Sequence, residues 1–165
     1  IGSWPSCGGH APQVVNGCAE IATISGFSFY TDDLKALRDL VAALRERKTR
    51  VKRTFLVRAL AHVVPEDEIF AHALTRNRAE QAGKVPVETE INQCLAFNLL
   101  IDDVDKLERV SDQLADKQLR TGRSFVLRAL LHAPWDLDAL ARDVKKFEAK
   151  FPDPRSRAGR ALKRD

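Results

Sequence analysis

"RTFLVRALAH" at residues 53–62 and "RSFVLRALLH" at residues 123–132 are one phrase written twice, 70 positions apart. Six of the ten positions are identical and the other four are conservative. Walking towards the N-terminus at the same offset, Arg50 falls on Arg120, Leu44 on Leu114 and Leu37 on Leu107. The pair Asp32 and Asp33 falls on Asp102 and Asp103, and Phe27 falls on Phe97. No gap is needed. Two amphipathic helices can look alike by chance, but chance does not also align an acidic pair and an aromatic upstream of it. Solenoid repeats recur every ~20–50 residues, so two copies at this longer period indicate a pseudo-dimer.

Outward from that phrase, each copy carries the same order of elements. In "SGFSFYT" Phe27 and Phe29 alternate with Gly26, Ser28 and Tyr30, and in "LAFNLLI" Leu95, Phe97, Leu99 and Ile101 alternate with Ala96, Asn98 and Leu100. A period of two is a strand. Each strand runs into the acidic pair, which suits a helix start because carboxylates favour the free N–H groups there. Leu34, Leu37, Leu40, Val41 and Leu44, and then Val104, Leu107, Val110 and Leu114, recur at helical spacing. A basic polar turn follows, and a second helix begins at the repeated phrase with Thr54 and Ser124 as expected N-caps. Pro65 and Pro134 close or kink it. A third helix is expected over about 66–80 and about 136–150 in the two copies.

A lone strand leaves its backbone groups unpaired, so the partner of each strand is the strand of the other copy. The expected fold is mostly α, with one two-stranded antiparallel ribbon over four helices and an extra helix per repeat. Residues 1–20, rich in Gly and Pro, are expected to be a flexible tail. Residues 21–151 are the tandem domain: repeat one over 22–80, linker over 81–91, repeat two over 92–151. Residues 152–165 are a basic tail.

Strand, helix, turn, helix with a ribbon shared between two units resembles the ribbon-helix-helix family of small DNA-binding repressors. The stretch "FNLLIDDVDKLERVSDQLADKQLRTGRS" carries the resemblance best, and it extends over roughly 22–64 and 92–134. The single-chain tandem form is similar to fused repressors of conjugative plasmids and, more closely, to overdrive-binding proteins of the Agrobacterium virC operon. The resemblance implies a single-chain ribbon-helix-helix pseudo-dimer that acts as an accessory factor in T-DNA or conjugative DNA processing and transfer. It also implies double-stranded DNA as partner, with a relaxase or another DNA-processing protein as a second partner. A plasmid repressor or partition protein of the same fold is the alternative. A helical protein-protein adaptor, its apparent strands being helix extensions or loops, is the alternative of another class.

A two-stranded ribbon fits the major groove, where each base pair shows a distinct set of donors and acceptors. The outward strand face would read bases: Ser28 and Tyr30 beside Gly26, and Asn98 and Leu100 beside Ala96. Asn98 suits adenine N6 and N7. Phosphates would be held by the turns and the starts of the second helices, which present free N–H groups. The candidates are Arg47, Lys48, Arg50, Lys52, Arg53 and Thr54 in the first copy, and Lys117, Arg120, Arg123 and Ser124 in the second.

Composition bounds the rest. Apolar residues make up 44% of the chain and the net charge is +4, a mild preference for an anionic partner. No apolar run approaches the ~18 residues of a membrane span. Residues 1–20 have no signal-peptide pattern, and the chain begins at Ile1, so it reads as part of a longer protein. Cys7, Cys18 and Cys94 are an odd number without paired spacing, which points to a reducing, cytoplasmic setting. Cys7, His10 and Cys18 lack a fourth zinc ligand, and no cofactor or metal is expected. Arg58 and Arg128 are expected to pair with the acidic helix starts, and His62 and His132 to cap or pack. No nucleophile–base pair or phosphate loop stands at a usable spacing, so no enzyme is expected. The protein is expected to be a monomer that is its own pseudo-dimer, with further association on DNA left open.

Overall fold

β2 (Ile21–Phe29) and β3 (Gln93–Leu100) pair antiparallel with Gly26 opposite Ala96. Those two residues are also repeat mates at the offset of 70. The register is therefore symmetric about them: Ser28 faces Cys94 as Asn98 faces Ile24, and Phe27 faces Leu95 as Phe97 faces Ser25. Phe27, Phe29, Phe97 and Leu99 all point inward and are buried, as the alternation predicts. Phe97 meets Phe27 at 5.9 Å and Phe29 edge-on at 5.8 Å between ring centroids, an arrangement that ring quadrupoles favour.

The computed structural model describes residues 13–14, 21–85 and 92–152. Most of the expected tail, much of the linker and residues 153–165 lie outside that set, as does the Cys7, His10 and Cys18 group. One part of the tail departs from expectation. Gln13 and Val14 form β1, pairing with Ala22 and Ile21 and making the sheet three-stranded in the order β1-β2-β3. An open strand edge carries unpaired N–H and C=O groups, and β1 covers one end of the outer edge of β2. The middle of the ribbon remains two-stranded.

α1 (Thr31–Glu46) and α4 (Ile101–Asp116) follow the strands directly. They bury Leu37, Leu40 and Leu44, and Val104, Leu107, Val110 and Leu114. Both helices stop in the same way. Lys48 and Gln118, again repeat mates, sit in the left-handed region at φ 59° and 58°. Thr49 N–H then donates to Leu44 C=O at 2.9 Å, and Leu119 N–H to Leu114 C=O at 3.0 Å. This 6→1 closure satisfies helix-end carbonyls that would otherwise be orphaned.

The repeated phrase forms α2 (Arg53–Val63) and α5 (Arg123–Leu131). Phe55–Ala61 and Phe125–Leu131 are buried without interruption. These are central helices, covered all round, which is why the phrase is so apolar. Thr54 and Ser124 are not the N-caps. Each is the second residue of its helix, and Lys52 and Gly122 hold the cap position. Gly122 adopts φ 111° there, which favours glycine, and donates its N–H to Ser111 Oγ at 2.9 Å.

α3 (Glu66–Gln81) and α6 (Leu137–Lys150) are the third helices. They cross over: α3 packs on α4 and α5 of the second repeat, and α6 packs on α1 and α2 of the first. Each half is thus closed by the other half's last helix. Asp136 caps α6, accepting from the N–H groups of Asp138 and Ala139. Trp135 donates its Nε1–H to Leu130 C=O at 2.8 Å and stacks on His72.

Candidate nucleic-acid interface

Outward along the ribbon stand Ile24, Gly26 and Ser28 from β2 and Cys94, Ala96 and Asn98 from β3. Cys94, Ala96 and Asn98 are exposed, Ile24 and Ser28 are half-buried, and Gly26 is buried. Asn98 lies between buried Phe97 and Leu99, so its amide points away from the core. Tyr30 and Leu100, the other two expected base readers, are not on this face. Both sit where strand becomes helix, at the cap positions of α1 and α4. Alternation ends there: Leu100 is 7% exposed, and the Tyr30 ring lies 4.1 Å from the Arg128 guanidinium. Cys94 was not singled out for this face. It is disulfide-bonded, so the inference of a reducing setting from unpaired thiols loses its basis.

α2 packs against β3 and α5 against β2, and the N-terminus of α5 lies beside the ribbon. The contact is explicit on one side: Ser28 N–H donates to Ser124 Oγ at 3.0 Å, and Arg123 Nη2 donates to Gly26 C=O at 3.2 Å. No side chain caps either helix, so their first N–H groups remain available to an anion.

The two basic turns are unequal. In the first copy Lys48, Arg50, Lys52, Arg53 and Thr54 are exposed, and none of the four cations has an ion pair among the described residues. Arg47 pairs with Asp138 at 2.9 Å. In the second copy only Lys117 is exposed and free of an ion pair. Arg120 donates to Glu80 at 2.8 Å and stacks over Phe125. Arg123 lies over Phe27 and 3.8 Å from Glu108.

The acidic helix starts divide into an outer and an inner residue. Asp32 and Asp102 are exposed; Asp33 and Asp103 are buried. Asp33 accepts from Tyr30 N–H at 2.8 Å, Arg128 Nε at 2.6 Å and His132 Nε2 at 2.7 Å. Its repeat mate Asp103 accepts from His62 Nδ1 at 3.0 Å. Both histidines come from the other repeat, so these pairs sew the halves together. Burial alone would raise the Asp33 pKa, but the His132 hydrogen bond, the Tyr30 N–H and the Arg128 charge together hold it below the usual carboxylate range. Burial pulls Arg128 and Lys106 below their ordinary values, against the attraction of Asp33 and of Asp103 respectively. Lys106 Nζ donates to the carbonyls of His62 and Val64, where α2 ends. These buried groups are occupied by one another and serve the fold.

No protein-family model, curated protein or solved structure matches the chain. Among the described residues no helix is long and apolar enough to cross a membrane.

Proposed function

We propose that the chain is a ribbon-helix-helix pseudo-dimer in one polypeptide, and that it binds double-stranded DNA with a sequence preference by laying β2 and β3 in the major groove. The supporting observation is the strand register. An antiparallel ribbon centred on two repeat mates presents a pseudo-two-fold face, and duplex DNA is locally two-fold about its groove. Exposed Asn98 and half-buried Ser28 occupy opposite halves of that face. The uncapped start of α5 lies beside it, and both uncapped starts, of α2 and of α5, carry basic residues. Phosphate contacts fix position and base contacts specify sequence. The reading assigns no catalytic role to the chain.

A place in T-DNA or conjugative DNA processing, with a relaxase or similar enzyme as partner, rests on the resemblance of the tandem arrangement. A plasmid repressor or partition protein would bind DNA through the same face. The adaptor reading needs the two segments to be helical or looped; they pair as strands, so we do not carry it further.

Selection of duplexes from a random pool, followed by sequencing, tests the reading. Specific sequences should be enriched, and affinity should fall with salt by a log–log slope of about −0.9 per phosphate held. Absence of duplex binding, or binding indifferent to salt, would remove it.

A further inference from the structure

We propose that the two halves grip DNA unequally, and that α3 enforces this by holding the second basic turn away from phosphate. The inference rests on the DNA-binding reading and adds an orientation to it. The chain would lie on its site in one direction, with the first turn as the clamp.

The repeat alignment makes the comparison position by position. Lys48, Arg50, Lys52 and Arg53 of the first turn correspond to Gln118, Arg120, Gly122 and Arg123 of the second. Two of the four cations are absent from the second copy, and the two that remain are engaged. Glu80, whose side chain is 6% exposed, binds the Arg120 guanidinium. Asn77, buried on the same face of α3, accepts from Arg120 N–H at 3.0 Å and donates to its C=O at 3.3 Å. The turn is thus fixed through backbone and side chain together. Arg123 is folded back on Gly26 C=O and the Phe27 ring.

α6 does not do the same to the first turn. Among the described residues no ion pair joins it to Lys48, Arg50, Lys52 or Arg53. Phe147 packs into the core against Phe55 and His62, and Lys150 lies with His62 and Val63 at the C-terminal end of α2, over the Phe151 ring, whereas Lys52 and Arg53 stand at the start of α2. Asp138 does neutralise Arg47, but that carboxylate is 76% exposed and such a pair is weak. A charge-assisted pair with a carboxylate shielded from water is the stronger restraint. The first turn keeps Lys48, Arg50, Lys52 and Arg53 for an anion, and the second keeps Lys117 alone.

The experiment is ethylation interference on the full chain bound to a duplex recovered from a random pool, with salt titrations of three variants. Interference should be strong on the phosphates of one half-site and weak on the other. Replacing Arg50, Lys52 and Arg53 together by Ala should flatten the salt slope by about 0.9 per phosphate lost. Glu80→Ala should free Arg120, steepen the slope by about 0.9 and spread interference to the weak half. Arg50→Ala alone, at an exposed site without an ion pair among the described residues, should weaken binding and flatten the slope by about 0.9 while leaving the melting temperature in place. It keeps the test open if Glu80→Ala unfolds the chain. Equal interference on both halves, or an Arg50→Ala chain that binds as tightly as the parent, overturns the inference and leaves the DNA reading standing. No binding of any duplex overturns both.

Discussion

At the scale of single residues, Asp33 carries the most. Its carboxylate serves α1, through the Tyr30 N–H, and the second repeat, through Arg128 and His132. Asp33→Asn keeps the shape and removes the charge, leaving Arg128 buried without its counter-ion. Breaking one partner of a buried pair costs about 3–5 kcal/mol, so chemical denaturation should show a loss of that order. A melting temperature within a degree of the parent would contradict it. The pH dependence has a definite sign. A folded-state pKa below the unfolded value stabilises the fold above the unfolded pKa, near 3.8 for this carboxyl, and that stability is lost as pH falls through the folded value. Thermal melts from neutral pH downward should diverge little between pH 7 and 5. Below that the parent should lose stability faster than Asp33→Asn, so that the two curves converge. Gln118 offers a change of the opposite sign. A side chain at φ 58° is strained, and Gln118 is exposed, so Gln118→Gly should stabilise by roughly 0.5–1 kcal/mol, read as a raised melting temperature. The sequence marks Asp33 as acidic at a helix start but not as buried, because its partners are 95 and 99 positions away.

At the scale of elements, the ribbon and the turns were legible to different depths. Period-two alternation gave both strands and their buried faces, because a pleated strand separates its sides by parity. Parity fails at the strand ends. Tyr30 and Leu100 keep the outward phase in sequence, but Tyr30 lies beyond the strand at the cap of α1, against Arg128, and Leu100, the last residue of β3 and opposite Ala22, is buried. The outward face in the middle of the ribbon is where parity can be trusted, and Asn98 stands there. Asn98→Ala should shift stability by about 0.5 kcal/mol or less. On DNA it should cost on the order of 1–3 kcal/mol of discrimination at one or two base pairs, with a smaller loss on scrambled duplex. Ser28→Ala should act in the same way but more weakly, since a hydroxyl makes a single bond; its link to Ser124 runs through the backbone N–H and survives. Equal losses on cognate and scrambled duplex would make these residues holders of backbone and not readers of sequence. The turns were legible as basic clusters only. Which cations are free depends on Glu80 and Asp138, and no local pattern announces a partner 40 or 91 residues distant.

At the scale of the whole molecule, the offset of 70 predicts a two-fold arrangement, and the register about Gly26 and Ala96 has that symmetry. The crossing of the third helices was not legible. Apolar periodicity shows that a helix has a buried face, but it names no partner, and α3 and α6 would look the same packed on their own repeat. The crossing matters for stability. Cut between residues 85 and 92, each half loses its strand partner, the third helix that covers it, and either Arg128 and His132 or His62 as partners for its inner aspartate. A monomeric half would expose a bare strand edge, Phe27 and Phe29 or Phe97 and Leu99, and the groove its missing helix fills. Such surface is more than a chain of that size can leave open. The halves 21–85 and 92–152, made separately, should each lack cooperative melting as monomers at low concentration. Mixed in equal amounts they should regain the helical signal, since the linker contributes proximity and the contacts remain. Melting of the mixture should rise with concentration, as for any bimolecular fold, while that of the intact chain should not. Sedimentation alongside circular dichroism separates the cases. A half that melts cooperatively as a monomer would show that the crossing is decoration. A mixture that stays unfolded at high concentration would show that the repeats need the covalent link to find one another.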